Sequence, residues 1–288
     1  MQLFIKENSM ERKGKWRTGI AILILGVLML TGCGSSGGQH IEGLDKLGDI
    51  EAVTREADSG TRASFDDLTG LTSENDQLKA AGSTEDLLKE VEGSKSAIGY
   101  MTVEAVDDKV KTLTVEGKKV DDPDYPMTRQ LYLVYNGELT DLEKEFISYA
   151  TGKGQDIIKK HFETVGKAET FLSLKPSGTI KIGGSSSEAP AMEEVAEAYM
   201  KVNPNAEITV ETTDSGTGIN NTMEGKYDLG MSSRSPKSYE ENILTFVPVA
   251  KDRIAVVVPS DNPMTDITLD QLKAIYTGKV TKWSDLNK

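Results

Sequence analysis

At 288 residues the chain is long enough for two lobes of ordinary domain size, each with a substantial core. A net charge of −13 argues against nucleic acid or an anionic lipid surface as the main partner. It leaves a small anion open, because local dipoles rather than total charge govern a desolvated pocket.

The chain begins with a basic leader, Lys6, Arg12, Lys13, Lys15 and Arg17. An apolar run follows from Ile20 to Leu30, too short to span a bilayer comfortably. It closes on Leu30-Thr31-Gly32-Cys33, and Cys33 is the only cysteine. This grammar resembles the lipobox of bacterial lipoproteins, which implies a signal peptide over 1–32, cleavage before Cys33 and acylation of that residue. A lone cysteine allows no disulfide within the mature chain and no cysteine metal site. The glycines and serines from Gly34 to Gly38 read as a flexible tether, placing the anchor and tether at 33–43.

The first half reads as alternating strands and helices. Ile50–Thr54 is a short β-branched strand, followed by Asp58-Ser59-Gly60-Thr61 and a helical pattern through Phe65 and Leu68. Asp76 to Val91 is a polar helical stretch turning Leu78, Leu87 and Leu88 inward. Ala97–Met101 is a buried strand, Val110–Val115 an edge strand, and Asp121–Pro126 a charged loop. Leu131–Tyr135 is a strong strand, Leu142–Tyr149 and Gly154–Phe162 are helices, and Gly166–Ser177 is an aperiodic connector.

The second half opens on the strand Thr179–Ile182, which runs into Gly183-Gly184-Ser185-Ser186-Ser187. The next helix sets Met192, Val195, Ala196 and Tyr199 on one apolar stripe and ends near Asn203-Pro204. Ile208–Thr213 is a strand leading into Asp214-Ser215-Gly216-Thr217 and a further helix through Ile219 and Met223. Tyr227–Arg234 is a short strand ending in hydroxyls, Arg253–Pro259 a continuous apolar strand, and Thr268–Tyr276 a helix. The β–α alternation predicts mostly parallel sheets with helices on both faces, and ligand groups at the carboxyl ends of strands.

The repeated Asp-Ser-Gly-Thr turn organises the rest. Each copy stands between a strand and a helix, where unpaired backbone N–H groups point outward and can receive an anion. Glycine permits close approach, and the hydroxyls add donors without charge. Arg55 offers a planar fork suited to phosphate-like oxygens. Two ordinary N-capped helices would carry the same residues, but Ser185–Ser187 and Ser232–Arg234 supply further hydroxyl turns after strands. If these converged on one point they would suit a tetrahedral oxyanion, each of whose oxygens must regain a hydrogen bond lost from water.

Enzymatic readings fare poorly. His40 lies in the tether and His161 on a helix away from every serine cluster. The Gly-x-Ser-x-Gly pattern at Gly34–Gly38 follows no strand, and no Ser-x-x-Lys, His-Glu-x-x-His or P-loop occurs. Acidic residues are scattered and read as a solvated surface.

Several longer motifs resemble the substrate-binding lipoproteins of bacterial ABC phosphate importers. They are Gly183 to Ser187 with Ala189-Pro190, Asp214 to Gly218, Asp228 to Arg234, and Ile275 to Lys279 with Trp283. The earlier half adds Arg55 with Ser59-Gly60-Thr61 and Phe65, Ala97 to Tyr100, and Tyr125-Pro126 with Arg129 and Leu131-Tyr132. The match covers nearly all of 44–165 and 178–288. It implies an α/β, two-lobed fold like that of periplasmic binding proteins (class II type), with mixed sheets flanked by helices and closing like a clam on phosphate.

The motif order differs from the family's. There the Gly-Gly-Ser-Ser strand comes first; here it comes second. The resemblance therefore implies a circular permutant, restored by joining Lys288 to about Leu44, with 166–177 bridging the former ends. A truncated product of two adjacent gene copies, whose halves seek complements in another chain, is the other reading. One lobe becomes contiguous at 128–254, and the other is split between 44–127 and 255–288. Leu131–Val134 and Ile254–Val258 are expected to cross between lobes as the hinge.

Carried over by position, Arg55, Ser59, Gly60, Thr61, Ser186, the Ser187 amide and Ser215 match the family's phosphate contacts. Some members place an aspartate at Ser233, which accepts the hydrogen of protonated phosphate and repels sulfate. Ser233 can accept a hydrogen bond, but the repulsive charge would have to come from Asp214 or Asp58. The expected protein is a lipid-anchored, non-enzymatic receptor on the outer face of the cell membrane. It binds inorganic phosphate without metal or cofactor and delivers it to an ABC permease. The alternatives are sulfate or molybdate as ligand, a phosphate-sensing or adhesion module and, furthest off, a phosphate-ester hydrolase.

Overall fold

The longest strand sets the architecture of the protein, seen here in a computed structural model that describes residues 40–287 apart from 74, 76 and 77. In chain order the first half contains β1 (Glu51–Arg55), α1 (Gly60–Thr69), β2 (Lys79–Ala81), α2 (Thr84–Gly93), β3 (Ala97–Thr102), β4 (Val110–Thr112), β5 (Thr114–Val115), β6 (Thr128–Asn136), α3 (Asp141–Thr151), α4 (Gln155–Ile158) and β7 (Glu163–Thr164). The second half contains β8 (Gly178–Ser185), α5 (Ala189–Val202), β9 (Ala206–Thr213), α6 (Ser215–Met223), β10 (Leu229–Ser232), β11 (Leu244–Pro259), β12 (Asp266–Ile267) and α7 (Leu269–Tyr276). The basic leader, the apolar run, Cys33 and the glycine tether lie outside the described residues, as does Asp76.

β11 is 16 residues long and belongs to two cores. From Leu244 to Arg253 it pairs antiparallel with β6; from Ile254 to Pro259 it pairs antiparallel with β3 and then β4. Val249 and Ala250 pack with Leu131, Leu133, Ile182, Met192 and Met231 in a core drawn from residues 131–250. Ile254, Val256 and Val258 pack with Phe65, Tyr100, Tyr276 and Trp283 in a second core. The intervening Ala255 and Val257 face Leu87 and Val91 on the opposite side of the sheet. An apolar run buried on both faces is what the period-two alternation of a central strand requires.

The strand order is β2-β1-β3-β11-β6-β10-β8-β9. β1 runs parallel to β2 and β3, and β8 runs parallel to β9 and β10, so the flanks are parallel and the centre is antiparallel. The apolar segments expected to form the hinge lie on either side of the passage: Leu131 and Leu133 pack in the first core and Val134 with Ile219 and Leu244, while Ile254–Val258 packs on both faces of the sheet beyond it. The passage between cores falls on the polar residues between them, 128–130 of β6 and 251–253 of β11. There Arg129 and Asp252 face each other in register and form a buried ion pair, with Nε and Nη2 donating to Oδ2 at 2.9 and 2.7 Å. Thr102 donates to the other carboxylate oxygen at 2.9 Å, tying β3 to the same point.

Three sequence expectations need correction. The stretch Asp76–Val91 is not one helix: Lys79–Ala81 pairs parallel with β1, and the helix starts at Thr84, where Ser83 accepts a hydrogen bond from Asp86 N. The Gly82-Ser83 break and this cap divide the segment. Gly154–Phe162 is regular helix only over Gln155–Ile158 and continues as turns. Val110–Val115 divides at Leu113, its first part joining β11 and its second β12.

The two ends of the described chain meet. Ile41 N donates to Asn287 Oδ1 at 2.8 Å, Ile50 N to Thr281 O at 2.7 Å, and Trp283 N to Gly48 O at 3.1 Å. No helix among the described residues is long and apolar enough to cross a membrane.

The buried pair yields a stability prediction. Asp252→Asn leaves the Arg129 charge enclosed without its counter-ion and is expected to cost about 3–5 kcal/mol. Glu163→Gln, which breaks the exposed Lys251–Glu163 pair, should cost under about 1 kcal/mol. Urea denaturation of both variants checks the contrast.

Candidate functional site

Four strand ends meet at one place. β1 ends in Arg55 and turns through Asp58-Ser59 into α1; Ser59 caps that helix by accepting from Arg62 N at 3.3 Å. β8 ends in the triple serine before α5. β9 turns at Asp214, whose Oδ1 accepts from Thr217 N at 2.8 Å to cap α6. β10 ends in Ser232-Ser233. The caps are local and follow from short polar side chains at the N-terminus of each helix.

The tertiary fold joins these turns. Arg55 is 1% exposed, and its guanidinium is held in plane by Glu56, with Nε and Nη2 donating to the two carboxylate oxygens at 2.8 and 2.7 Å. Its remaining donors reach Thr84 Oγ1 at 3.1 Å and, from 131 residues away in sequence, Ser186 Oγ at 3.3 Å. Thr84 and Ser186 also bond each other at 3.2 Å. Thr61 Oγ1 and Ser187 Oγ lie 3.0 Å apart. Ser215 Oγ meets Ser233 Oγ at 3.2 Å and accepts from Ser233 N at 3.0 Å.

Gly60 sits against that serine pair. A Cβ there would fall 2.2 Å from Ser215 Oγ and 2.6 Å from Ser233 Oγ. The two repeated turns touch directly as well, Gly216 N donating to Asp58 O at 3.0 Å. All eight sequence-derived residues are thus brought to one place, although the Ser59 hydroxyl serves its own helix. Ser186 is half-buried and the other hydroxyls are buried. They satisfy one another, so the donors that would turn to an anion are already gathered in a closed arrangement.

Sequence reasoning missed several neighbours. The sequence pattern puts Thr84 inside a helix, whereas Ser83-Thr84 opens one, and the small polar pair after Gly82 is the available signal. Ser64 Oγ and Arg129 Nη1 both donate to Ser233 O, at 2.9 and 3.3 Å, and fix the turn that carries Ser233. Burial pulls the Arg129 pKa down from its ordinary value, opposed by Asp252. Glu188, directly after the triple serine, is 1% exposed, and neither carboxyl oxygen has a hydrogen-bond partner among the described residues. Nothing in its sequence context announces that.

The site contains no histidine. His161 instead contacts Glu104 at 2.6 Å and Glu194 at 3.2 Å. No group of three or more His, Cys, Asp or Glu among the described residues is arranged to hold a metal. What the arrangement offers chemically is a set of neutral donors and one paired guanidinium, suited to binding an oxyanion.

The chain is similar to several known proteins. A family model described as a PBP superfamily domain matches residues 172–288. The phosphate-binding protein PstS 2 of Streptococcus agalactiae serotype V is 34% identical over 92% of this chain and 95% of its own length. The phosphate-binding protein PstS of Bacillus subtilis is 36% identical, but over only 39% of this chain and 38% of its own length. The crystal structure of a phosphate ABC transporter phosphate-binding protein from Streptococcus pneumoniae TIGR4 is 33% identical and superposes with a TM-score of 0.68, covering 83% of this chain and 100% of that one.

The close approach at Gly60 gives a prediction. Gly60→Ala must push apart the Ser215–Ser233 pair and should destabilise by about 1–3 kcal/mol, the range for overpacking. Thermal denaturation measures the cost, and a crystal structure of the variant should show the two hydroxyls separated.

Proposed function

The chain belongs to the PstS family of phosphate-binding proteins, and we propose that it captures inorganic phosphate between its two cores and delivers it to an ABC permease. One observation carries this reading: Arg55 and Thr61 on one side bond Ser186 and Ser187 on the other, around a glycine that leaves room for nothing larger. Phosphate would take over hydrogen bonds these groups now make to one another, with Arg55, Ser59, Gly60, Thr61, Ser186, Ser187, Ser215 and Ser233 as contacts and Thr84 added. The protein is a receptor and not an enzyme; its groups bind and orient but include no general base.

The lobes are 128–254 on one side and 44–127 with 255–288 on the other, hinged where Arg129 meets Asp252. Acylation of Cys33 would tether the protein to the extracytoplasmic face of the membrane, within reach of the permease.

The halves stand in circularly permuted order. One observation supports this: the segments around Ile41 and Asn287 are bonded to each other, close enough for a short link to join them. A rearranged chain running 178–288, a short linker and then 44–165 should fold as a monomer and bind the same anion. A rearranged chain that binds only as a dimer would favour halves that complement one another between chains.

For the site itself, Arg55→Ala should weaken phosphate binding by about 1.5–3 kcal/mol or more, the scale for losing a charged hydrogen-bond partner. Calorimetric titration measures this, and unchanged affinity would remove Arg55 from the site. Absence of phosphate-ester turnover with and without divalent metals separates the receptor from a hydrolase.

A further inference from the structure

A carboxyl group with nothing to bond stands beside the serine turn. Glu188 follows Ser187 and precedes α5, yet its side chain makes no capping hydrogen bond. Both of its oxygens are enclosed without a partner among the described residues, and the same holds for Ser185 Oγ three residues earlier. A buried carboxylate without partners is costly to keep charged, so such a group keeps its proton. Burial indeed raises the Glu188 pKa well above the usual carboxylate range; Arg129 opposes the rise and Asp252 adds to it.

The charges around it leave this state in place. Arg129, on β6, is engaged by Asp252 of β11 and by Ser233 O, and Arg55, on β1, is engaged by Glu56. Neither guanidinium makes a hydrogen bond to Glu188. The two acidic residues that sequence analysis weighed for this site are committed elsewhere: Asp214 caps α6 with both oxygens, and Asp58 is exposed.

We infer that Glu188 meets the bound oxyanion as a carboxylic acid, donating its O–H to an oxygen of the anion. The site then accepts fully deprotonated sulfate at low pH but only proton-carrying phosphate once Glu188 ionises. The proton is shared in either case. Below the Glu188 pKa the acid supplies it, and the anion needs none. Above that pKa the carboxylate becomes an acceptor, which phosphate satisfies with its own proton while sulfate meets a buried like charge. This rests on the oxyanion reading of the site and adds the group that sets its selectivity.

The test is calorimetric titration of the whole protein with phosphate and with sulfate from about pH 5 to about pH 9, a range spanning a raised carboxyl pKa. The donating form is present below the pKa and lost as pH rises through it. Sulfate affinity should therefore fall about tenfold per pH unit beyond that point, while phosphate affinity changes far less. Glu188→Gln keeps an N–H donor of the same shape without titrating, so its sulfate affinity should be level across the range. Glu188→Leu, lacking any donor, should bind sulfate weakly at every pH.

Should either variant fail to fold, the unsubstituted protein still decides the matter. Sulfate binding measured in two buffers of different ionisation heat should show proton uptake that grows with pH. Sulfate affinity independent of pH, no sulfate binding at low pH, or no proton uptake overturns the role of Glu188 even if phosphate binds. Failure to bind either anion at any pH would instead overturn the oxyanion site itself.

Discussion

The guanidinium of Arg55 is held flat by its own neighbour, Glu56, and the rest of the site is arranged around that ion pair. Two of its donors are spent on the carboxylate, which fixes the plane and offsets the charge. What remains to face the cleft is a set of N–H bonds aimed at Thr84 and Ser186. A bare buried cation would hold a multiply charged anion too firmly to release it and would be costly to enclose in the empty state. A paired one behaves as an oriented dipole, like the helix N-termini beside it. This is how a chain with a net charge of −13 can present a site for an anion: the local field comes from hydroxyls, amides and one neutralised fork.

Such a site works only if strand ends from both cores are held at the correct spacing, and the strand β11 provides the frame. It lies in both hydrophobic cores, so neither can shift far without bending it. At its midpoint the side chains change from apolar to charged, and the Arg129–Asp252 pair occupies the passage. The same arginine reaches Ser233 O. Frame and site are therefore joined by one side chain, which bonds the crossing strand with one part of its guanidinium and the Ser232-Ser233 turn with another.

Much of this was legible in sequence because it is local. The Asp-Ser-Gly-Thr repeat advertises two capped helices after two strands, and capping depends on residues three apart. The apolar runs around Leu131 and Ile254 advertise strands buried on both faces. What escaped was set by distant partners. Arg129 and Asp252 are 123 residues apart and meet only through the register of β6 with β11. Sequence patterning puts the hinge on the most apolar residues, whereas apolar side chains anchor a core and the polar ones between them mark its boundary. Polarity and leucine spacing make the segment before Thr84 look helical, although a three-residue strand beside β1 gains a ladder of hydrogen bonds there. Glu188 was one acidic residue among many in a strongly acidic chain, and only its enclosure distinguishes it.

The proposed exchange of halves is physically mild for a reason that also explains why the site tolerates it. The turns after β1, β8 and β9 stand at the carboxyl ends of their strands and each leads into a helix, while the Ser232-Ser233 turn after β10 leads on to β11. The contacts that matter, Arg55 to Ser186, Thr61 to Ser187 and Gly60 to the Ser215–Ser233 pair, are tertiary, and none depends on which half is synthesised first. The segments at 41–50 and 281–287 meet elsewhere, where Ile41 and Ile50 bond Asn287 and Thr281. Flanking hydrogen bonds already hold these two segments together there. The cost of the new order then falls on the 166–177 connector, which has to span the former ends. That connector is secured by Glu145, which accepts from Leu174 N at 2.8 Å and from Tyr199 Oη at 2.9 Å. One carboxylate thus binds the connector to α3 and α5, the helices that cover the contiguous core, and keeps the join away from the serine turns.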